Sequence, residues 1–343
     1  MNIWRRSSIR NSSDEYSPGE LSRFFVCLCL LFALSFVLAV LFGSTRTGLI
    51  EALTSGRDSA AYRIFAFVRL PRAFAAVLAG SALAVSGAMI QAVLNNAMAA
   101  PNIIGVNSGA GLAVSLLVAI SPSAVSCLPY AAFLGALAAC LCIYAIAART
   151  GASRLTITLV GVTISSILTA GINAVKTVFP DSLYNSSAFM VGGISGVSLA
   201  RLSPACWLIA GGILCARALA KDIDVLNLGE EMAGSLGMNV KSMRFLLLLL
   251  ASVLAGSAVS FAGLLGFVGL LVPHICRRFV GSYHRRLIPA CALGGASLVL
   301  LCDLTARLLF APYELPVGII LSLVGGPFFL ALILVQRKSK IYD

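Results

Sequence analysis

Phe24-Phe-Val-Cys-Leu-Cys-Leu-Leu-Phe-Ala-Leu-Ser-Phe-Val-Leu-Ala-Val-Leu-Phe42 runs without a single charge. A helix needs about 20 apolar residues to cross a bilayer. Inside lipid the backbone must satisfy its own hydrogen bonds, and a helix does so. Arg5, Arg6, Arg10 and Arg23 precede the run. No clear small-residue cleavage site accompanies it, so it reads as a retained helix and not a signal peptide.

Similar runs recur along the chain. With the first, they predict spans near 24–43, 70–94, 103–120, 127–148, 155–179, 204–220, 243–262, 264–280, 287–310 and 316–336. Ten spans occupy most of the 343 residues and leave little for a separate soluble domain. Residues 1–23 read as a tail, and 24–338 as one all-α, ten-helix membrane domain. The eighth span is short and broken by Pro273, and the tenth is interrupted by Gly325-Gly326-Pro327. Such breaks are tolerated where they pack inside a bundle or line a cavity.

Composition agrees. The chain is 59% hydrophobic and 11% charged, with a mean hydropathy of +0.98. A soluble domain carries roughly 25% charged residues. The net charge of +12 could suggest nucleic acid, but Lys and Arg sit in short clusters between apolar runs. That is the pattern of topology determination. With both termini cytoplasmic, most of the 25 Lys and Arg fall inside. Arg46, Arg57, Arg63, Arg69 and Arg72, between spans 1 and 2 or at their edge, are the exception. The ten cysteines contain no CxxC pair, and most lie inside apolar runs, where they read as small packing residues and not metal ligands.

A faint repeat is present. Ala79-Gly80-Ser81-Ala82 with Gly87 recurs as Ala255-Gly256-Ser257-Ala258 with Gly263. Spans 2 and 7 run in opposite directions, so spans 2–5 and 7–10 are expected to be inverted repeats about a central pathway.

Catalytic constellations are missing from the sequence. His274 and His284 are the two histidines, both beside Arg pairs. No GxSxG, HExxH or GxxxxGK[ST] occurs, so an ATPase would be a separate chain. The longest inner loop holds residues 226–240, which read as a short amphipathic surface helix. Leu228, Met232 and Leu236 share one face, Glu230 and Glu231 fall in the first turn, and Gly237 is placed to end it. Among intramembrane charges, Asp303 and Arg307 are four apart and suited to an ion pair. Lys176 admits two readings: a lysine snorkelling to the interface, or an attractive charge at the mouth of a pathway for an anionic substrate.

Several ordered motifs resemble one family. Arg69-Leu-Pro-Arg72, Gly80…Gly87…Gln91, Asn96…Ala99…Pro101 and Gly105-Val-Asn-Ser-Gly-Ala110 form a first group. Gly266-Phe-Val-Gly-Leu-Leu-Val-Pro-His-Ile-Cys-Arg277, Gly281, His284-Arg285, Asp303…Arg307, Glu314-Leu-Pro-Val-Gly318 and Gly326-Pro-Phe-Phe329 form a second. With 226–237 they are similar to the FecCD/BtuC-type permeases of ABC importers for iron–siderophores, haem and cobalamin. The resemblance implies a permease in the inner membrane of a bacterium, dimerised with a second copy or a paralogue around one pathway. It implies two ABC ATPase subunits below and a substrate-binding protein above, with no cofactor and no enzymatic activity in this chain. Leu226, Gly229, Glu230, Glu231, Leu236 and Gly237 would form the ATPase-coupling element. Arg69, Arg72 and Arg307 would face outward and pair with acids of the binding protein. Ser153 resembles the small hydroxyl residues near the family's inner gate, and Asn107, Ser108 and Lys176 are further pathway candidates. Where the family usually reads Arg-Asn-Pro-Leu-Ala-Asp-Pro, this chain reads Asn95-Asn-Ala-Met-Ala-Ala-Pro101, so the loop after span 2 is expected to be held differently.

The substrate this implies is an iron chelate, with haem or cobalamin as alternatives. An ion-coupled secondary transporter would need buried acids, and Asp303, beside Arg307, is the one candidate.

Overall fold

The computed structural model describes residues 18–44, 56, 58–149, 151 and 153–340. Thirteen helices are formed among the described residues. They are α1 (Pro18–Leu41), α2 (Ala60–Leu94), α3 (Val106–Ile120), α4 (Leu128–Arg149), α5 (Arg154–Val178), α6 (Asp181–Val191) and α7 (Leu199–Ala218). Two short helices, α8 (Ala220–Asn227) and α9 (Glu230–Ser235), lead to α10 (Val240–Ala262), α11 (Val268–Val280), α12 (His284–Leu308) and α13 (Val317–Lys340). The ten longest correspond to the ten predicted spans. Seven of them are long and apolar enough to cross a membrane. The thirteen residues of α11 rise only about 20 Å, so non-helical chain completes that crossing.

The central helix is α2, packed against α10, α11 and α12. From Ala79 to Leu94 every residue is buried. Its small side chains let backbones touch: a Cβ on Gly80 would lie 2.1 Å from the Gly295 carbonyl oxygen, and one on Gly87 1.9 Å from that of Gly269. Ser81 and Ser86 donate their hydroxyls across to Ala292 O (2.9 Å) and Ala251 O (2.7 Å). Helix α2 packs on α12 as α10 packs on α4, and α3 packs on α4 as α11 packs on α12. This exchange of partners is what the repeat predicts. The short helices α3 and α11 also match, each entered through a left-handed residue, Gly105 (φ 76) and Phe267 (φ 66).

Three sequence expectations need correction. Span 2 begins at Ala60, ten residues early, with a π-turn at Phe65–Arg69, so Arg63 and Arg69 are helical, as Arg72 is, and not in a loop. Arg46, Arg57 and the tail before Pro18 lie outside the described residues. Helix α13 runs unbroken through Pro327. The glycine beside that proline serves packing instead: a Cβ on Gly325 would lie 2.4 Å from the Phe267 ring. Pro273 likewise sits within the continuous helix α11.

The altered 95–101 loop closes by its own means. Asn95 takes a left-handed conformation (φ 47) and caps α2, and the Asn96 side chain accepts from the Met98 N–H at 2.9 Å. Asparagine suits both tasks.

Candidate functional site

Two ends of the bundle can be told apart. The basal end carries α8 and α9, together with Arg149, Arg217, Lys221, Lys241, Arg277, Arg278, Arg285 and Arg286. The distal end carries the start of α2 and the end of α12. Between them, helices α10 and α11 are broken apart by Gly263–Phe267. Non-helical backbone at this depth needs partners, and it has them: Gly193 N–H donates to Ala262 O, Leu264 N–H to Phe189 O, and Gly318 N–H to Gly192 O, at 2.9–3.1 Å. Gly192, Gly263 and Gly318 allow this contact, since a Cβ on each would come within 2.6 Å of a carbonyl oxygen of the neighbouring segment. The junction borders a cleft of about 610 Å³ lined by Asn107, Met190, Val191, Leu264, Gly318, Ser322 and others. Asn107 is therefore a cleft residue. Its neighbour Ser108 turns back to donate to Gly105 O at 3.2 Å.

Helix α5 presents a polar stripe. Thr163, Ser166, Thr169, Asn173 and Thr177 follow one another at helical spacing, and all five are exposed. Thr163, Ser166, Thr169 and Thr177 each donate to the carbonyl four residues earlier, at 2.7–2.9 Å. A second cleft of about 510 Å³ lies along Ser166, Thr169 and Asn173. Lys176, in the last turn of α5, is half-buried. Ser153 is the N-cap of α5, accepting from Thr156 N–H at 3.1 Å.

At the basal end, α8 and α9 are separated by Gly229 (φ 111), and Gly237 (φ 83) follows α9. The expected single helix is thus two. Leu226 belongs to α8 and is fully buried, contrary to a surface role, because its side of α8 packs into the bundle. Leu228, Met232 and Leu236 are 59%, 59% and 64% exposed. A groove of about 450 Å³ adjoins Leu236, lined also by Asp222, Gly237, Asn239 and Met243 among others. Glu230 and Glu231 are both exposed, and Glu230 pairs with the buried Arg244 at 2.5 Å. That hydrogen bond holds the Glu230 carboxyl below its ordinary range.

The distal arginines contradict the outward-facing expectation. Arg69, Arg72 and Arg307 are buried, 5%, 4% and 2% exposed. Arg72 binds both oxygens of Asp303 (3.0 and 3.1 Å) and also Glu314 (2.5 Å). Arg307 pairs with Asp303 at 3.1 Å and donates to Ala39 O and Phe42 O at the end of α1. Arg69 donates to Leu41 O at 2.6 Å. The Asp303–Arg307 pair was legible from its spacing, but Arg72 closing on it from 231 positions away was not. Burial opposes ionisation of Glu314, yet hydrogen bonds from Ser44 and Arg72 outweigh it and hold this carboxyl low. These guanidiniums tie α1, α2 and α12 together and are not available to an outside partner in this arrangement.

Known proteins are similar to this chain in sequence and fold. The chain is 35% identical over 324 residues to the hemin transport system permease HmuU of Yersinia pestis, covering 91% of this chain and 97% of that one. It is 34% identical over 338 residues to the Fe(3+)-citrate import permease YfmD of Bacillus subtilis, covering 96% and 99%. A solved structure described as an inward-facing metal-chelate type ABC transporter superposes with a TM-score of 0.82 at 26% identity, covering 91% of this chain and 99% of that one. Residues 29–335 match the FecCD transport family, and the chain belongs to that family.

Proposed function

We propose that this chain is the membrane permease of a bacterial ABC importer that carries an iron chelate of the siderophore class. It spans the cytoplasmic membrane as a single domain over 24–338. The basal end faces the cytoplasm, which puts the clustered Arg and Lys inside. The observation that carries the reading is the polar stripe on α5. Such a row suits a watered surface better than a lipid-facing one, because polar side chains find further hydrogen-bond partners in water and none in hydrocarbon. The stripe lines a watered path, which a second copy or a paralogue would complete. Hydroxyls already bonded to their own helix offer only weak contacts, suited to passing a bulky chelate without trapping it.

Two ATPase subunits seat below, the one on this chain against the exposed Leu228–Met232–Leu236 face and the other on the second copy or paralogue, and a binding protein docks at the distal end and supplies most of the specificity. ATP hydrolysis belongs to the ATPase, and this chain holds no cofactor. Arg69, Arg72 and Arg307 organise the distal end from within. An ion-coupled exporter is disfavoured because Asp303, the buried acid among the described residues, is held between Arg72 and Arg307.

Uptake of radiolabelled ferric chelates by iron-starved cells, with and without this gene, tests the proposal. Loss of uptake for one chelate supports it and identifies the substrate. Unchanged uptake across the panel, with loss of labelled haem instead, moves the substrate to haem, as the similarity to HmuU would suggest.

A further inference from the structure

The basal element is tied by charge to three membrane-crossing helices. Arg154, the first residue of α5, donates from Nη2 to the Leu226 carbonyl at 3.3 Å. Arg244, 1% exposed near the start of α10, pairs with Glu230 at the first position of α9. His284, the first residue of α12, is also 1% exposed. Its Nδ1 lies 2.6 Å from the Asp224 carboxylate on α8, and its backbone N–H donates to the same oxygen at 3.0 Å. A carboxylate only accepts, so Nδ1 carries the proton.

These ties answer a mechanical problem. Helix α9 is six residues long, too short to hold itself. It is flanked by Gly229 and Gly237 in conformations that side-chain residues rarely adopt, and its apolar face is exposed. A push on α9 alone would be absorbed at the two glycines. With Arg244 holding Glu230, the same push reaches the base of α10 without passing a glycine, and Arg154 and the Asp224–His284 pair carry any movement of α8, which packs on α9, to α5 and α12. Helix α5 carries the polar stripe, and α12 ends at Asp303 and Arg307 in the distal network. One rigid helix thus joins the basal element to the opposite face.

We infer that Arg154, Arg244 and the Asp224–His284 pair are positioning residues that transmit movement of the basal element, from α9 to α10 and from α8 to α5 and α12, a role that rests on the proposed seating of the ATPase on α9. The test uses the whole complex, with ATPase and binding protein, in proteoliposomes. Position 232 carries a photoreactive residue that crosslinks to whatever seats on α9. Uptake of a ferric chelate and ATP hydrolysis are measured together for Arg244→Met, Asp224→Asn and the conservative Arg244→Lys.

The expected result is an undiminished crosslink to the ATPase, hydrolysis within about twofold of wild type, and chelate moved per ATP reduced by about tenfold in the first two variants. Arg244→Lys, which keeps the charge, retains most of the yield. Wild-type yield in Arg244→Met and Asp224→Asn, with the crosslink present, overturns the inference alone. Loss of the crosslink together with uptake makes the residues seating elements and also overturns it. A crosslink missing from the otherwise unmodified complex removes the seating itself, and the inference falls with it.

Discussion

Asp303→Asn isolates the distal network. The carboxylate is 1% exposed and serves Arg72 at 2.9–3.1 Å and Arg307 at 3.1 Å. Asparagine has nearly the same shape but carries no charge, and its amide N–H₂ would point donors at a guanidinium that is itself only a donor. Two buried arginines then lose their shared counter-ion. Removing one partner of a buried pair costs about 3–5 kcal/mol. An unfolding entropy of about 2.1 cal/mol/K per residue gives ~0.7 kcal/mol/K over 343 residues, so the melting temperature should fall by about 4–7 °C. Thermal denaturation in detergent, followed by size-exclusion with fluorescence detection, reads this directly. The double variant Asp303→Asn/Arg72→Gln removes a charge that the first change stranded. It should be more stable than the sum of its parts by about 1 kcal/mol or more. A single variant melting within about 1 °C of wild type, or strict additivity in the double, would refute the claim that these groups form one network.

Gly80→Ala forces a methyl onto the Gly295 carbonyl and should destabilise by about 1–3 kcal/mol, while Gly211→Ala, with open space around it, should cost nothing measurable in the same melting assay. Glu314 is held below its unfolded value, so its contribution is full above the ordinary carboxylate range and is lost as pH falls through the lowered folded value. The melting gap between wild type and Glu314→Gln should therefore hold from pH ~7 to ~5 and close below about 4; a gap that widens on acidification reverses the sign and rejects the assignment. Ser166→Leu together with Thr169→Leu turns the α5 stripe apolar; chelate uptake should fall several-fold with the melting temperature unchanged, and normal uptake would show that the stripe is not the path.

Hydropathy revealed what lipid imposes, because the need for long apolar helices acts on composition directly. It failed where burial inside protein replaces burial in lipid. The start of α2 holds Arg63, Arg69 and Arg72, so an apolar window stops short, yet the helix runs ten residues further because Asp303, Glu314 and the end of α1 receive two of those charges. The Gly325-Gly326-Pro327 run looked like a break for the same local reason, while in space Gly325 makes room for Phe267. The basal segment was half legible: the spacing of Leu228, Met232 and Leu236 found the exposed face. The partners of Glu230 and Asp224 lie 14 and 60 residues away, and no periodicity reports them. The α5 stripe did leave a trace, since hydroxyl and amide residues at intervals of three and four over 163–177 mark one helix face.

The placement of charge in this chain follows a division of labour. Buried ionic groups seldom add stability over a well-packed apolar alternative, but they specify geometry when each partner is satisfied. Here they stand at both ends of the bundle, where helices of different segments meet, and the middle is built from glycine, alanine and serine at near-contact backbone distances. Close small-residue crossings fix the separation of α2 from α11 and α12 while leaving few large side chains to interlock. The ends then decide which helices move together. Helix α12 takes part in both ionic sets, through His284 at its first residue and Asp303 and Arg307 near its last. A helix of 25 residues held at both ends by charge, and in between by glycine contacts, is suited to act as a strut. A change at the basal element can then arrive at the distal face with little loss.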